Sequence, residues 1–188
     1  LTSLMAGWRE GDRVSVWGPL GNGFPVPECE HLICVAGGIG QTPFLAVARE
    51  ALGHAMYGSP ARVILQRPQT TALLYGVRSS SYLAGLDDFR MPGLSVSVAT
   101  DDGSAGQRGY VTTLLEERLR SGTAGVHVYC CGPEPMMRAT ASLAPAAKPT
   151  MTLPPARRRT LIALCLITVS PILTWPSPAT TTSSTPNV

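Results

Sequence analysis

The strongest constraint on the fold is an alternation of short apolar runs with helical stretches between about residues 32 and 143. Near-continuous hydrophobic runs are typical of strands that are covered on both faces. The stronger candidate strands span residues 32–36, 72–76, 94–100 and 126–130, and a weaker fifth spans 62–66. The predicted helices span residues 43–54, 79–86, 111–120 and 135–143. Strands that alternate with crossover helices predict an α/β fold built on a parallel sheet.

Composition divides the 188 residues into three parts. Residues 1–30 contain a short alternating segment at 13–17 and then a Gly/Pro-rich loop, a pattern that predicts the last strand and exit loop of a preceding all-β module. Residues 31–144 are predicted to form the α/β domain. Residues 145–188 hold eight of the seventeen prolines and no acidic residue, and they are predicted to be a disordered or out-of-frame tail. The start at Leu1 without a leader predicts a chain that lacks its true beginning.

Charge is distributed unevenly along the chain. Residues 1–137 hold ten basic and twelve acidic side chains, whereas residues 138–188 hold five basic and none acidic. The net charge of +3 therefore belongs to the tail, and no basic stripe interleaved with aromatics indicates a nucleic-acid partner. Five cysteines without CxxC or zinc-type spacing favour a reducing, cytoplasmic location over a disulfide framework or metal site.

Two further classes are disfavoured by what the sequence contains. It has no GxSxG, HExxH or P-loop motif, which disfavours hydrolase and kinase functions. The apolar run at 161–175 has fifteen residues, and at 1.5 Å each these span roughly 22 Å, short of the roughly 30 Å hydrocarbon core. Pro171 also interrupts this run, so a membrane anchor is disfavoured.

The most informative local pattern follows the first predicted strand. Gly37, Gly38 and Gly40 precede Thr42, a predicted N-cap, and Pro43, the predicted first helical residue. Glycines allow the backbone to approach a ligand closely, and a helix N-terminus favours negative charge. The pattern predicts a diphosphate site, although a glycine-rich turn without a ligand has the same appearance.

Three more predicted strands end in loops that can bind a ligand. Arg78 and Ser79 follow the second strand, and two adjacent acids, which more often form a turn, follow the third. Cys131 follows the last strand and is equally consistent with a site or a core role, whereas Cys130 is predicted to lie in the core. Ligands of open α/β sheets collect at the carboxyl ends of strands, so the four loops together predict one binding crevice. The three histidines are scattered, and none is assigned a catalytic role.

In this order the motifs resemble one family. GPLGNGF (18–24), VAGGIGQTPF (35–44), LLYGVRS (73–79), VATDDGSAGQRGYVT (98–112) and CGPEPMM (131–137) are similar to segments of the electron-transfer subunits of dihydroorotate dehydrogenase B, in the ferredoxin–NADP reductase superfamily. The resemblance covers about residues 10–143. It implies a parallel-sheet nicotinamide-binding domain of ferredoxin reductase type, preceded by the remnant of an antiparallel β-barrel flavin domain.

The resemblance also implies cofactors and partners. NADH would reduce FAD, and electrons would pass through a [2Fe–2S] cluster to FMN on a dihydroorotate dehydrogenase catalytic subunit, in a heterotetramer. Cys131 is implied as the catalytic residue beside the nicotinamide. The implied cofactor-binding residues are Gly37, Gly38, Gly40 and Thr42 at the NAD diphosphate, Arg78 and Ser79 at the ribose-phosphate, Gly132 and Pro133 at the nicotinamide, and Gly18, Gly21 and Phe24 at the flavin.

The chain departs from that family in two places. The flavin-binding Arg-x-Tyr-Ser/Thr motif belongs upstream of residue 1, so independent FAD binding is in doubt. Beyond Pro145 the chain has a single cysteine, Cys165, and one thiolate cannot hold a cluster that takes four protein ligands. Another NAD(P)H-dependent flavin or iron–sulfur reductase subunit and a catalytically silent nucleotide-binding module therefore stay open. The residues do not decide between NADH and NADPH, because Arg78 suits a 2′-phosphate as well as a diphosphate.

Overall fold

A computed structural model describes residues 2–16, 23–120, 122 and 124–144 of the chain. It divides into two compact units, one of Leu1–Gly21 with Cys165–Val188 and one of Asn22–Leu164. The predicted tail at 145–188 and the segment 17–22 lie outside the described residues. Among the residues described, no helix is long and apolar enough to cross a membrane.

The described part of the first unit is a short helix and two turns. Helix α1 spans Thr2–Met5, and the Trp8 N–H donates a hydrogen bond to the Met5 carbonyl just after it. Residues 13–16, where a strand was predicted, are exposed and form no strand in the described part of this unit. A β-strand requires a hydrogen-bonded neighbour, and no described residue pairs with this segment. The barrel remnant stays a prediction.

The second unit is built on a five-stranded parallel sheet. Its strands are β1 (His31–Gly37), β2 (Thr70–Val77), β3 (Leu94–Thr100), β4 (Gln107–Arg108) and β5 (Val126–Cys131). Their order is β4-β3-β2-β1-β5, and every pairing is parallel. The four stronger strand predictions are confirmed to within about two residues at each end.

Helices cover both faces of this sheet. They are α2 (Thr42–Ala51), α3 (Val111–Arg120) and α4 (Glu134–Leu143). Because successive strand residues point to opposite faces, Cys34 joins a core cluster with Phe44 of α2, while Val35 joins a second cluster with Leu115 of α3. Residues 32–37 are all buried, as expected for a central strand covered on both sides.

Two predicted elements are wrong. Residues 62–66 form no strand; they are largely exposed, and Arg67 next to them donates to the carbonyls of Glu50 and Ala51, which end α2. The fifth strand is instead the short β4. Residues 79–86 form no α-helix, because Ser79 is extended and Gly85 takes a left-handed conformation with φ of 64°. Two short 3-10 turns, Ser80–Tyr82 and Leu86–Phe89, connect β2 to β3.

Candidate functional site

A cavity of about 620 Å³ opens at the carboxyl ends of the strands. It lies where the strand order reverses: the chain runs from β1 through β2 and β3 on one side, and then returns to place β5 on the other side of β1. Such a switch point is where open α/β sheets bind ligands. The lining residues are Gly37, Gly38, Gly76, Val77, Arg78, Tyr82, Asp101, Tyr110, Val111, Thr112, Pro133, Pro135, Met136 and Ala139.

The β1 and β5 side of the site is built by close backbone packing. A Cβ on Gly132 would lie 2.9 Å from the Gly37 nitrogen, and one on Gly37 would lie 2.6 Å from the Met136 sulfur. A Cβ on Gly40 would lie 2.2 Å from the Cys131 carbonyl oxygen. Contacts below 3 Å are not found between real Cβ atoms and their neighbours, so these three positions require glycine for the two strand ends to meet.

Gly38 has a different role. Its φ is +55°, which favours glycine, and a Cβ built there would meet nothing within 4 Å. Its backbone therefore borders the open space of the cavity.

Gly76 brings the N-terminus of α3 to the cavity. A Cβ on Gly76 would lie 2.7 Å from the Val111 Cβ, so only glycine allows the helix to approach β2 this closely. Tyr110 and Thr112 flank that contact and line the cavity, and Tyr110 is exposed. The helix N-terminus adds a favourable dipole for a negatively charged group.

The β2 and β3 side carries the charged groups. Arg78 follows β2 and Asp101 follows β3, and both are exposed cavity-lining residues that make no ion pair with a described residue. The neighbouring Asp102 carboxylate accepts hydrogen bonds from the Ser104 hydroxyl at 2.6 Å and the Ser104 N–H at 2.9 Å. These bonds lower the Asp102 pKa. A cation and a hydrogen-bond acceptor thus stand at adjacent strand ends.

Four of the residues predicted for the site line the cavity: Gly37, Gly38, Arg78 and Pro133. Gly40 and Gly132 support it through the backbone contacts given above. Ser79 lies beside it, where its hydroxyl is 2.7 Å from that of Ser81. Thr42 is exposed, and its hydroxyl donates to the Ile39 carbonyl at 3.1 Å. Its prediction as N-cap is wrong, because the preceding 3-10 turn Gly38–Gln41 leads directly into α2 and leaves Gln41 at the cap position.

Cys131 and Phe24 are not among the cavity-lining residues. Both are half-buried and pack against the core cluster that contains Phe44. The Phe24 ring makes edge-to-face contacts with Phe44 and Tyr129, at centroid distances of 5.4 and 5.0 Å. The roles of these two residues at the nicotinamide and the flavin stay predictions, and Gly18 and Gly21 lie outside the described residues.

The neighbouring thiols are held in their protonated form. Burial raises the pKa of Cys130 to about 11, and Cys130 packs against the second core cluster, which agrees with its predicted core role. Burial likewise raises the pKa of Cys29 to about 11. A thiol is nucleophilic as its thiolate, so neither residue is suited to covalent catalysis near neutral pH.

The residues described do not fit a metal cluster. Among them, no group of three or more His, Cys, Asp or Glu side chains could hold a metal ion. The single cysteine of the tail, Cys165, lies outside the described part of the chain.

Sequence reasoning missed four polar or aromatic residues of the cavity. These are Tyr82, Asp101, Tyr110 and Thr112. The signal for Asp101 was present, because it follows β3 just as Arg78 follows β2. Tyr82 could not be found, since its place depends on a 3-10 turn that was predicted to be part of a helix.

Comparison with known proteins identifies relatives of this chain. Residues 34–142 match the family described as the oxidoreductase NAD-binding domain. A probable dihydroorotate dehydrogenase B (NAD(+)) electron transfer subunit of Thermococcus kodakarensis is 37% identical over 131 residues, covering 70% of this chain and 48% of the relative. The corresponding subunit of Bacillus caldolyticus is 34% identical over 147 residues, covering 77% and 51%. The chain thus spans about half the length of the curated relatives it matches.

Solved structures support the same fold. An NADH-dependent reduced ferredoxin–NADP oxidoreductase aligns with a TM-score of 0.58 and 27% identity, covering 76% of this chain and 47% of that one. A ferredoxin–NADP+ reductase of Neisseria gonorrhoeae with bound FAD and NADP aligns with a TM-score of 0.50 and 16% identity, covering 65% and 51%. The second likeness concerns the fold alone.

Proposed function

The chain belongs to the oxidoreductase NAD-binding domain family, and on that premise we propose that the cavity at its strand ends binds a nicotinamide dinucleotide. One observation carries the proposal: glycine backbone, an arginine and a carboxylate line a single cavity where the strand order reverses. Its volume lies within the range of about 300–1,000 Å³ that small-molecule sites occupy.

The diphosphate would be held by the glycine turn and Arg78. Gly38 suits this role because its backbone borders open space that any side chain would enter. Arg78 suits it because a guanidinium binds phosphate oxygens through two parallel hydrogen bonds, and no described residue competes for it as an ion-pair partner. Gly40 would keep the turn in place against β5.

The ribose and the adenine would lie at the β3 side. The Asp101 carboxylate can accept hydrogen bonds from ribose hydroxyls, whereas a 2′-phosphate at the same place would meet a like charge. This supports NADH over NADPH. The exposed rings of Tyr82 and Tyr110 offer flat apolar faces to a base.

When bound, the nicotinamide supplies the hydride chemistry, and the protein contributes binding and orientation. Pro133 and Met136 form an apolar wall on the β5 side of the cavity, which excludes water from what binds there. Gly132 and Pro133 would border the nicotinamide, and Cys131 would be the catalytic residue beside it.

We further propose that the whole protein transfers electrons from NADH to FAD and on to a dihydroorotate dehydrogenase catalytic subunit. The names of the relatives at 37% and 34% identity support this assignment. Gly18, Gly21 and Phe24 would border the flavin. We derive no step through an iron–sulfur cluster, because the residues described do not fit one. An FMN-containing partner, a heterotetramer and a cytoplasmic location stay predictions.

A second candidate is a reductase subunit with another electron acceptor. It is favoured by the likeness to the NADH-dependent reduced ferredoxin–NADP oxidoreductase. Reduction of ferredoxin, but not of a dihydroorotate dehydrogenase catalytic subunit, by NADH and the FAD-supplemented chain would favour this candidate.

The nucleotide proposal is tested by titrating the full chain with NADH and following nicotinamide fluorescence. We expect saturable binding, and we expect Gly38→Asn to weaken it about tenfold or more, because the new side chain occupies the open space and displaces phosphate contacts. Asn tolerates the left-handed conformation better than most residues, so the fold should survive.

Gly11→Asn is the matched control, since Gly11 also has a positive φ and open space but does not line the cavity. It should bind NADH like the wild type. Absence of NADH binding to the folded wild type, or equal binding by Gly38→Asn, contradicts the proposal.

A further inference from the structure

We propose that Ser104 is a positioning residue of the nucleotide site, which ties the loop after β3 to the loop after β2 so that Arg78, Tyr82 and Asp101 face one cavity. The inference rests on the proposed function and assigns the site a support that lies outside its lining. We call the hydrogen-bonded chain of Ser80, Ser104 and Asp102 the serine tie.

The serine tie has a defined direction. The Ser80 N–H donates to the Ser104 Oγ at 2.7 Å, and the Ser104 hydroxyl donates to Asp102 Oδ1 at 2.6 Å. A hydroxyl has one proton to donate and lone pairs that accept, so both bonds can exist together. The carboxylate at the end of the chain makes the second bond charge-assisted and polarises the hydroxyl toward the first.

The Ser80 N–H depends on this contact. It opens the 3-10 turn Ser80–Tyr82, and the first N–H groups of such a turn have no acceptor within it. The residue before the turn, Ser79, makes no side-chain cap bond, and its hydroxyl lies against that of Ser81. Ser104, from a loop 24 residues away in sequence, supplies the missing acceptor.

That turn carries groups of the proposed site. Tyr82 ends it and lines the cavity, and Arg78 precedes it by two residues. Main-chain bonds join the two loops only at their bases: Asp101 N–H donates to the Val77 carbonyl at 3.2 Å, and Asp102 N–H to the Arg78 carbonyl at 3.3 Å. Beyond Arg78, the printed contact that links the turn to the β3 loop is the one made by Ser104.

The loop that carries Ser104 is itself well anchored. Thr100 is fully buried, its hydroxyl donates to the Ala105 carbonyl at 2.8 Å, and it accepts from the Ala105 N–H at 3.1 Å. Gly106 is left-handed, and a Cβ there would lie 2.1 Å from the Val98 carbonyl oxygen. The β3 loop is thus a fixed support, and the serine tie holds the β2 loop to it.

The test uses the full chain with Ser104→Ala and measures NADH binding together with thermal unfolding. We expect the NADH dissociation constant to rise roughly five- to tenfold, the loss typical of one hydrogen bond. The melting temperature should stay that of the wild type, because the residues of the serine tie are exposed and outside the core. Ser104→Thr retains a hydroxyl and should restore binding to within about twofold.

Ser95→Ala is the matched control. The Ser95 hydroxyl accepts a hydrogen bond from Arg118 at 2.8 Å, across a similar separation in sequence, and does not line the cavity. Its removal should leave NADH binding unchanged. In a variant that already carries Arg78→Ala and Tyr82→Ala, Ser104→Ala should cause little further loss, since it acts through those residues.

The outcomes separate the two proposals. If the wild type binds NADH and folded Ser104→Ala binds it equally well, the serine tie has no positioning role and the proposed function stands. If Ser104→Thr binds as weakly as Ser104→Ala, the hydroxyl is not the relevant group and the inference is also overturned. If the folded wild type does not bind NADH, the proposed function fails and this inference fails with it.

Discussion

The two sides of the cavity are assembled by opposite means. On the β1 and β5 side, Gly37, Gly40 and Gly132 allow backbones to approach to distances that no side chain permits. On the β2 and β3 side, the loops are joined by side-chain hydrogen bonds of Ser104 and Asp102, and they present charged groups.

This difference determines what damages each side. Added volume should disrupt the glycine side, because a protein interior is close-packed and the neighbouring atoms are backbone that cannot move aside. Removal of a functional group should damage the other side, where the residues are exposed and any lost volume is filled by water. Mutations of the first kind should lower stability, and those of the second kind should lower affinity.

The largest effect is expected from Gly40→Ala. Its Cβ would lie 2.2 Å from the Cys131 carbonyl oxygen, so β5 and the glycine turn must separate. We expect the free energy of unfolding to fall by about 3 kcal/mol or more, measured by urea denaturation.

Gly23→Ala is its control, because a Cβ at Gly23 would meet nothing within 4 Å and neither glycine has a left-handed φ. It should change stability by less than about 0.5 kcal/mol. Equal stability of the two variants would show that the close approach at Gly40 does not hold the β1 and β5 ends together.

An intermediate effect, on affinity rather than stability, is expected from Asp101→Asn. Loss of the carboxylate weakens hydrogen bonds to ribose hydroxyls and removes repulsion of a 2′-phosphate. We expect the ratio of NADPH to NADH affinity to rise about tenfold or more, with an unchanged melting temperature, measured by parallel titrations with the two nucleotides.

Asp88→Asn removes an exposed acid that does not line the cavity, and it should leave this ratio unchanged. If Asp101→Asn also leaves the ratio unchanged, the β3 side does not contact the ribose.

The smallest effect is expected from pH. His127 is buried on β5 with its ring 4.7 Å from that of Tyr129, and burial lowers its pKa below the usual 6.5. The unfolded chain therefore takes up the proton first, so the free energy of unfolding should fall as pH decreases from about 7 to 5, by less than about 1 kcal/mol.

His127→Phe keeps an aromatic ring against Tyr129 and should remove this dependence, whereas His54→Gln, at an exposed position, should retain it. Thermal unfolding across this pH range measures both. The Asp102 carboxylate has a lowered pKa and stays ionised over the same range, so acid at pH 5 should affect the β5 side and not the serine tie. An unchanged pH dependence in His127→Phe would contradict this contrast.

Prediction from sequence succeeded where one strong local pattern dominated. Strands β1 and β3 read as unbroken apolar runs, and α3 has its apolar residues at helical spacing. It failed between β2 and β3, where residues 79–86 resemble a helix in pattern. The extended Ser79 and the left-handed Gly85 interrupt that helix, and Ser104 in a distant loop bonds the turn that replaces it.

The amino-acid sequence by itself determined the parallel α/β class, the strand ends that carry ligand-type loops and the positions of Gly37, Gly38, Arg78 and Pro133, because apolar periodicity and glycine placement are local properties. The tertiary structure decided which side chains share a cavity. Strand order brings β5 next to β1, and it adds Asp101, Tyr82 and Tyr110 to the cavity while Cys131 packs against the core cluster. Such assignments depend on contacts between residues distant in sequence, and no local pattern encodes them.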